Sequence, residues 1–293
     1  MAKARALDRR RKSVRNIRKI TRTMELIATA RFKKAMDRSV AARDYTKHLA
    51  KILENIASVG AEVAHPLLEN RPTHHTAVLV LTGNRGLCGG YNSNVVRQAV
   101  ALLGQWKSEQ VPAHVSASGK RGISALRFRG VDLAEKYTNF EDKPEFAAVA
   151  PIGKAYLEAY SAGTIDRLDV VYTKFHSIAK QEAITETLLP LAPPTASAGG
   201  QASQRASDEY DFYPSAESIL EEILPASFLS RLFKCFLDAA VSEQVARMVA
   251  MKAATENAGG LIKSLSRQYN RARQSQITGE IMEILGGVEA LKK

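Results

Sequence analysis

The placement of proline and glycine limits the fold more than any other feature of this chain. All ten prolines fall between Pro66 and Pro225, and the first glycine is Gly60, so the first 59 residues contain neither helix breaker. Beyond Pro225 another 68 residues contain no proline. An interior proline costs a helix about 3 kcal/mol and a glycine about 1. Both ends are therefore free to form long helices, and the chain of 293 residues reads as long helix, mixed middle, long helix.

The N-terminal segment carries a heptad pattern. One row is Leu7, Val14, Thr21, Ala28, Ala35, Ala42, Leu49, Ile56 and Val63; the other is Arg10, Ile17, Met24, Arg31, Arg38, Tyr45, Ile52 and Val59. Spacing of three and four residues sustained this long predicts a coiled coil. A helix from Lys3 to Ser58 is about 84 Å long at about 1.5 Å per residue, so part of it is expected to project. Its expected partner is the C-terminal stretch, with a stripe of Val241, Val245, Met248, Thr255, Ala258, Ile262, Leu265, Tyr269 and Ala272. A second, rotated stripe runs Ile277, Ile281, Ile284, Val288, Leu291. The pattern leaves parallel and antiparallel pairing open.

The middle alternates. Thr76–Thr82, Ala113–Ala117, Val131–Tyr137, Arg167–His176 and Gln181–Leu189 read as strands. Ser93–Trp106, Lys120–Arg129 and Pro144–Ala162 read as helices between them, which predicts a mostly parallel sheet flanked by helices. Residues 72–190 are expected to fold as an autonomous unit. Leu191–Asp208, rich in Ala, Ser, Gly and Pro, reads as a flexible linker.

Chemical motifs are few. The loop Gly83-Asn84-Arg85-Gly86-Leu87-Cys88-Gly89-Gly90 follows a strand and precedes a helix, where a phosphate cradle would sit. Its spacing is G-x-x-G-x-x-G-G, which is neither the dinucleotide fingerprint nor a P-loop with its lysine, so it reads as a structural turn. Cys88 and Cys235 offer no disulfide framework, and the six histidines show no metal spacing. No apolar run approaches the roughly 20 residues of a membrane span, and the basic start lacks the apolar block of a secretory signal.

Charge is concentrated. The chain carries 42 Lys+Arg against 30 Asp+Glu, and residues 1–58 alone hold 17 basic and 5 acidic residues, which accounts for the whole excess of +12. The run Arg9-Arg10-Arg11-Lys12, continued by Arg15, Arg18, Lys19 and Arg22, admits a basic coiled-coil nucleic-acid-binding protein as an alternative. Leu7, Val14, Ile17 and Met24, however, draw an apolar stripe through the same segment. A helix packed on its partner, with its outer face passing acidic protein surfaces, fits both features.

Particular strings then become informative. Ser13-Val14-Arg15-Asn16-Ile17-Arg18-Lys19-Ile20-Thr21-Arg22-Thr23-Met24-Glu25-Leu26, Gly86-Leu87-Cys88-Gly89-Gly90-Tyr91-Asn92, and the blocks RMVAMKAATENA, YNRARQ and ITGEIMEI between Glu243 and Leu285 lie in order along the chain. With them the sequence resembles the γ subunit of F-type ATP synthases over essentially its whole length. It departs at Gly287-Val288, where the family usually has Gly-Ala, and in Asp211-Phe212-Tyr213-Pro214, where an acidic residue is more usual between Tyr and Pro. The regulatory dithiol insertion of chloroplast members is absent, and Met1 begins the first helix almost directly, so a bacterial member is expected.

The resemblance implies an α/β plus coiled-coil fold, in which long N- and C-terminal helices pair as a shaft and an inserted Rossmann-like α/β domain has a mostly parallel sheet. It divides the chain into an N-terminal shaft helix (1–60), the α/β domain (72–190), a flexible linker (191–211) and a C-terminal shaft helix (212–293). It also implies a rotor subunit that is not an enzyme on its own, couples c-ring rotation to ATP synthesis or hydrolysis, and holds no cofactor. One copy per complex would contact the α and β subunits of the catalytic head, an ε subunit and the membrane c-ring, at the cytoplasmic face of a bacterial membrane. By position in the family's C-terminal segment, head contacts would come from Arg273, Gln274, Thr278 and Glu280, and Arg10, Arg22 and Met24 lie on the N-terminal helix where contact with acidic head loops is expected. Foot contacts would come from Tyr210, Phe212 and Tyr213.

Overall fold

A computed structural model describes residues 2–58, 65–140, 143–191 and 216–291. Its elements are α1 Ala2–Ser58, β1 Thr76–Leu81, α2 Tyr91–Ser108, β2 Ala113–Ser118, α3 Lys120–Phe128, β3 Glu135–Tyr137, α4 Phe146–Ser161, β4 Arg167–Phe175, β5 Gln181–Leu189 and α5 Ala216–Leu291. They form two compact units. One holds residues up to Thr29 together with those from Arg247 onward, and the other holds Ala30–Ala246. The expected linker 191–211 lies outside the described residues apart from Leu191, which is buried.

The larger unit is built on a five-stranded sheet in the order β3-β2-β1-β4-β5. β1 pairs in parallel with β2 and β4, β2 pairs in parallel with β3, and β5 closes the edge antiparallel to β4. The mostly parallel sheet expected from alternation is present. Every residue of β1 is buried, as a central strand with both faces covered requires. Only Glu135–Tyr137 of the expected strand 131–137 joins the sheet. Asp132 instead uses its carboxylate to accept the Leu133 N–H at 2.9 Å, which turns the chain before the strand begins.

Alternation sorts the core into two layers. Val78, Val80, Val115, Ala117 and Val171 face α2 and α3, where they meet Val95, Val96, Ala99, Leu102, Ile123 and Leu126. Leu79, Leu81, Leu168, Val170 and Tyr172 face α4 and the first half of α5, where they meet Val149, Ile152, Leu220, Leu224, Phe228, Leu232 and Phe236. Gly153 lets α4 and α5 approach closely, because a Cβ there would collide with the Leu229 side chain. α5 runs straight through Pro225. The cost of about 3 kcal/mol for that proline is outweighed by burial of Leu220 and Leu224 in the turns before it, at about 1.5–3 kcal/mol each. Assigning the C-terminal helix wholly to a shaft overlooks this packing.

The smaller unit is a pair of antiparallel helix segments. Thr255 Oγ1 donates to Thr21 Oγ1 at 2.9 Å, and the Arg11 guanidinium lies 4.6 Å from the centre of the Tyr269 ring. Leu7, Val14 and Thr21 are half-buried and Ala28 is fully buried, as the first heptad row predicts. The second row is corrected. Met24 and Arg31 of that row are half-buried, but Arg10 and Ile17 are exposed, and Ala4, Arg11 and Glu25, one residue further on, are half-buried as well. In the larger unit the same shift holds: Phe32, Ser39, Thr46 and Leu53 turn inward, while Arg38, Tyr45 and Ile52 are exposed. The reason is partly polar. Ser39 Oγ donates to Asp238 Oδ1 at 3.4 Å and Thr46 Oγ1 lies 2.8 Å from Ser230 Oγ, so hydroxyls stand inward where the heptad row has Arg38 and Tyr45, while Phe32 and Leu53 add apolar contact.

Because α5 covers one face of the sheet, isolated residues 72–190 leave Leu79, Leu168 and Val170 exposed. We expect such a fragment to melt without cooperativity in circular dichroism. Leu224→Ala in the whole chain is expected to cost about 2–5 kcal/mol in denaturant unfolding.

Candidate functional site

The glycine-rich loop between β1 and α2 is held from within. Gly83 N–H donates to Asn92 Oδ1 at 2.9 Å, and Asn84 Nδ2 donates to the Phe140 carbonyl at 2.8 Å. Asn84 Oδ1 accepts the Lys120 N–H at 3.0 Å, which ties the loop to the start of α3. Gly89 turns with φ +55°, a conformation glycine adopts without steric cost. Cys88 is buried, with Asn92 Nδ2 3.2 Å from its sulfur.

In open α/β sheets ligands bind outside the carboxyl ends of the strands, where the strand order reverses. Here that place lies between β1 and β4, and α5 occupies it. Tyr91, the first residue of α2, donates its hydroxyl to the Ala239 carbonyl at 3.0 Å. Ser242 Oγ donates to the Thr173 carbonyl at 3.1 Å. The Glu243 carboxylate lies against Gly83, where a Cβ would come within 2.6 Å of Oε1. A side chain of the protein itself thus fills the space beside the loop that a nucleotide phosphate would approach.

Beneath the crevice a second polar cluster joins α1, α5 and the sheet. Burial raises the Asp238 carboxyl above its ordinary value, opposed by Lys234, Arg43, the Ser39 hydroxyl and Lys174. Burial likewise pushes up the Cys235 thiol and the Tyr172 hydroxyl, which donates to Glu186 Oε2 at 2.6 Å. Among the described residues no group of His, Cys, Asp and Glu is arranged to hold a metal ion.

On the helix pair the outward face is basic and apolar together. Lys12, Arg15, Arg18, Lys19 and Arg22 line one groove with Thr255 and Ile262, and Arg10, Arg267 and Arg271 line another. Of the residues expected to meet partners, Arg10 is exposed, Arg22 is tied to Glu25 at 2.7 Å, and Met24 is half-buried. Arg273, Gln274 and Thr278 are exposed, and Glu280 is exposed while accepting from Gln276 Nε2 at 2.8 Å. Tyr210, Phe212 and Tyr213 lie outside the described residues. Sequence reasoning missed Tyr91, Ser242 and Glu243 as a group. The only signal was that Tyr91 falls in the Gly86–Asn92 block resembling the family's.

These features define an α/β protein whose ligand crevice is filled by its own terminal helix and whose long helices present an unoccupied outer face. A family model described as ATP synthase matches residues 3–291. The ATP synthase gamma chain of Rhodopirellula baltica is 60% identical over 300 residues, covering 100% of both chains. That of Leptospira biflexa is 37% identical, covering 99% of this chain and 100% of its own. In fold, the chain is similar to one from the Euglena gracilis mitochondrial ATP synthase, with a TM-score of 0.67 at 18% identity over 99% of this chain and 95% of that one. It is also similar to a central-stalk chain of the Tetrahymena thermophila enzyme, with a TM-score of 0.60 at 22% identity over 80% and 99%. The chain belongs to the gamma-chain family of ATP synthases, and nothing in this supports the nucleic-acid alternative.

With the crevice filled, titration of the purified chain with Mg-ATP in a calorimeter is expected to give only heats of dilution. Submillimolar binding would reverse the assignment of the loop as a turn.

Proposed function

We propose that the chain is the central rotor shaft of a bacterial, proton-translocating F-type ATP synthase, coupling rotation of a membrane c-ring to ATP synthesis or hydrolysis in the catalytic head. Beyond family membership, the observation that carries this reading is the end of α5. Ile277, Ile281, Met282, Ile284, Leu285, Val288 and Leu291 are all at least 46% exposed. An apolar stripe of this size on a helix past the end of its pairing marks a surface that a partner covers. The partners that fit are the α and β subunits of the head around the helices, and an ε subunit and the c-ring at the foot, with one copy of this chain per complex. The Euglena neighbour was solved with F1 and a c-ring, and the Tetrahymena neighbour with a c-ring, which supports the same assignment.

In this reading nucleotide chemistry belongs to the head and this subunit is non-catalytic. One asymmetric shaft makes different contacts with otherwise equivalent sites and so biases them into different states. Arg10, Arg22, Met24, Arg273, Gln274, Thr278 and Glu280 are the proposed head contacts, residues 72–190 the core of the foot, and Tyr210, Phe212 and Tyr213 the proposed foot contacts. Among the described residues no helix is long and apolar enough to cross a membrane. This suits a peripheral subunit, which we place at the cytoplasmic face of the cell membrane.

Arg273, Gln274 and Thr278 offer polar groups beside the apolar stripe, and a hydrogen bond to a charged partner is worth about 1.5–3 kcal/mol. Replacing Arg273 and Gln274 with Ala is expected to leave assembly intact and to lower steady-state ATPase turnover of the complete enzyme by about threefold to tenfold, tenfold corresponding to about 1.4 kcal/mol. A control variant at Lys120 and Arg121 in the sheet domain should leave turnover near wild type. Unchanged turnover in the Arg273/Gln274 variant would remove those residues from the mechanism.

A further inference from the structure

We infer that the turn of α5 from Ala239 to Glu243 is the torsional anchor of the rotor, and that Tyr91 and Ser242 are the positioning residues that lock it. The inference rests on the rotor reading above. Torque applied to the sheet domain must pass into α5, and a helix lying only on apolar surface resists turning about its own axis poorly, because hydrophobic contact is non-directional. Hydrogen bonds with donor–acceptor distances near 3 Å do fix an angle.

The crevice supplies such bonds on a single face. Ala239, Ser242 and Glu243 stand at i, i+3 and i+4, so they share one side of the helix. Each meets a different part of the sheet rim. The Ala239 carbonyl accepts from the Tyr91 hydroxyl at the start of α2, and Ser242 Oγ reaches the Thr173 carbonyl near the end of β4. Glu243 is wedged against Gly83 just past β1. Tyr91 is 5% exposed and Ser242 is 1% exposed, so water does not compete for either bond. Three points around one helix face, on three separate segments, oppose rotation in both directions.

Either acceptor is a backbone carbonyl, so direction is supplied by two hydroxyls that can be deleted without adding volume. The test is the double variant Tyr91→Phe/Ser242→Ala in the complete, membrane-reconstituted enzyme, with Ser242→Thr as the hydroxyl-retaining control. Readouts are protons pumped per ATP hydrolysed and the angular variance of single rotors under load. With the anchor loosened, ATP hydrolysis continues while pumping per ATP falls and angular variance rises, each by at least about twofold, the factor that the weakest single hydrogen bond of this kind corresponds to. Ser242→Thr stays near wild type in both. A purely structural role would lower the melting temperature of the chain and leave angular variance alone. Where the double variant does not assemble, Tyr91→Phe and Ser242→Ala are measured singly by the same readouts. Unchanged pumping and variance in an assembled variant, or equal damage from Ser242→Thr and Ser242→Ala, overturns the anchor. Failure of the unmodified chain to assemble with a head and c-ring overturns the rotor reading itself.

Discussion

Leu220, Leu224, Phe228, Leu232 and Phe236 recur every fourth residue along α5 and are buried against the sheet, at about 1.5–3 kcal/mol per side chain. Most other features of the larger unit depend on this ridge. It shields Leu79, Leu168 and Val170, whose strands would otherwise present an apolar face to water. It holds a helix continuous through Pro225. It also sets the next turn of α5 over the carboxyl ends of β1 and β4, where a ligand would otherwise bind. The result is an α/β sheet that serves as a socket for a helix rather than as a site for a nucleotide.

The pairing of α1 with α5 follows a different logic. Its hydrogen bonds include Thr21 with Thr255 in the smaller unit and Ser39 with Asp238 and Thr46 with Ser230 in the larger, beside an apolar cluster of Phe32, Ala35 and Met36 with Val241 and Val245, and a typical net value for such a bond is about 0.5–1.5 kcal/mol. Buried alanines such as Ala28 and Ala35 add close approach but little apolar area. Polar groups within a helix seam fix register at some cost in stability. Asp238 shows the cost directly, since burial opposes its ionisation even with Lys234, Arg43 and Lys174 nearby. Meanwhile Ile17, Ile20, Leu26 and Ile27 are exposed, so part of the apolar area of α1 lies on its outer face.

Much of this was legible in the sequence, for physical reasons that can be stated. Proline and glycine placement gives both long helices, since breakers act locally. Strand β1 stands out because a strand buried on both faces reads as a continuous apolar run, and β4 because Val170, Val171 and Tyr172 are strong strand formers. The first heptad row holds from Leu7 to Leu49, since Ala28, Ala35 and Leu49 are buried and Leu7 and Val14 half-buried. The second row is displaced by one residue in part, because the heptad count favours Tyr45 and Ile52, whereas Thr46 and Leu53 turn inward, and Ser39 does so in place of Arg38. The socket for α5 was invisible to local pattern: Leu220 to Phe236 reads as one more amphipathic helix, and only the tertiary fold shows which surface covers it. Glu243 likewise becomes meaningful only beside Gly83, 160 positions earlier.

The central claim is that, within the smaller unit, the segments of α1 and α5 pair antiparallel in the register that sets Thr21 against Thr255. Cysteines at Thr21 and Thr255, whose hydroxyl oxygens are 2.9 Å apart, test it directly, since native Cys88 and Cys235 are buried. The account predicts that oxidised Thr21→Cys/Thr255→Cys chain forms an intramolecular disulfide and that enzyme assembled with it keeps its coupled ATPase and pumping activity. Absence of the cross-link would contradict the register. A cross-link that abolishes coupled activity until reductant restores it would show that the two helices move against each other during rotation.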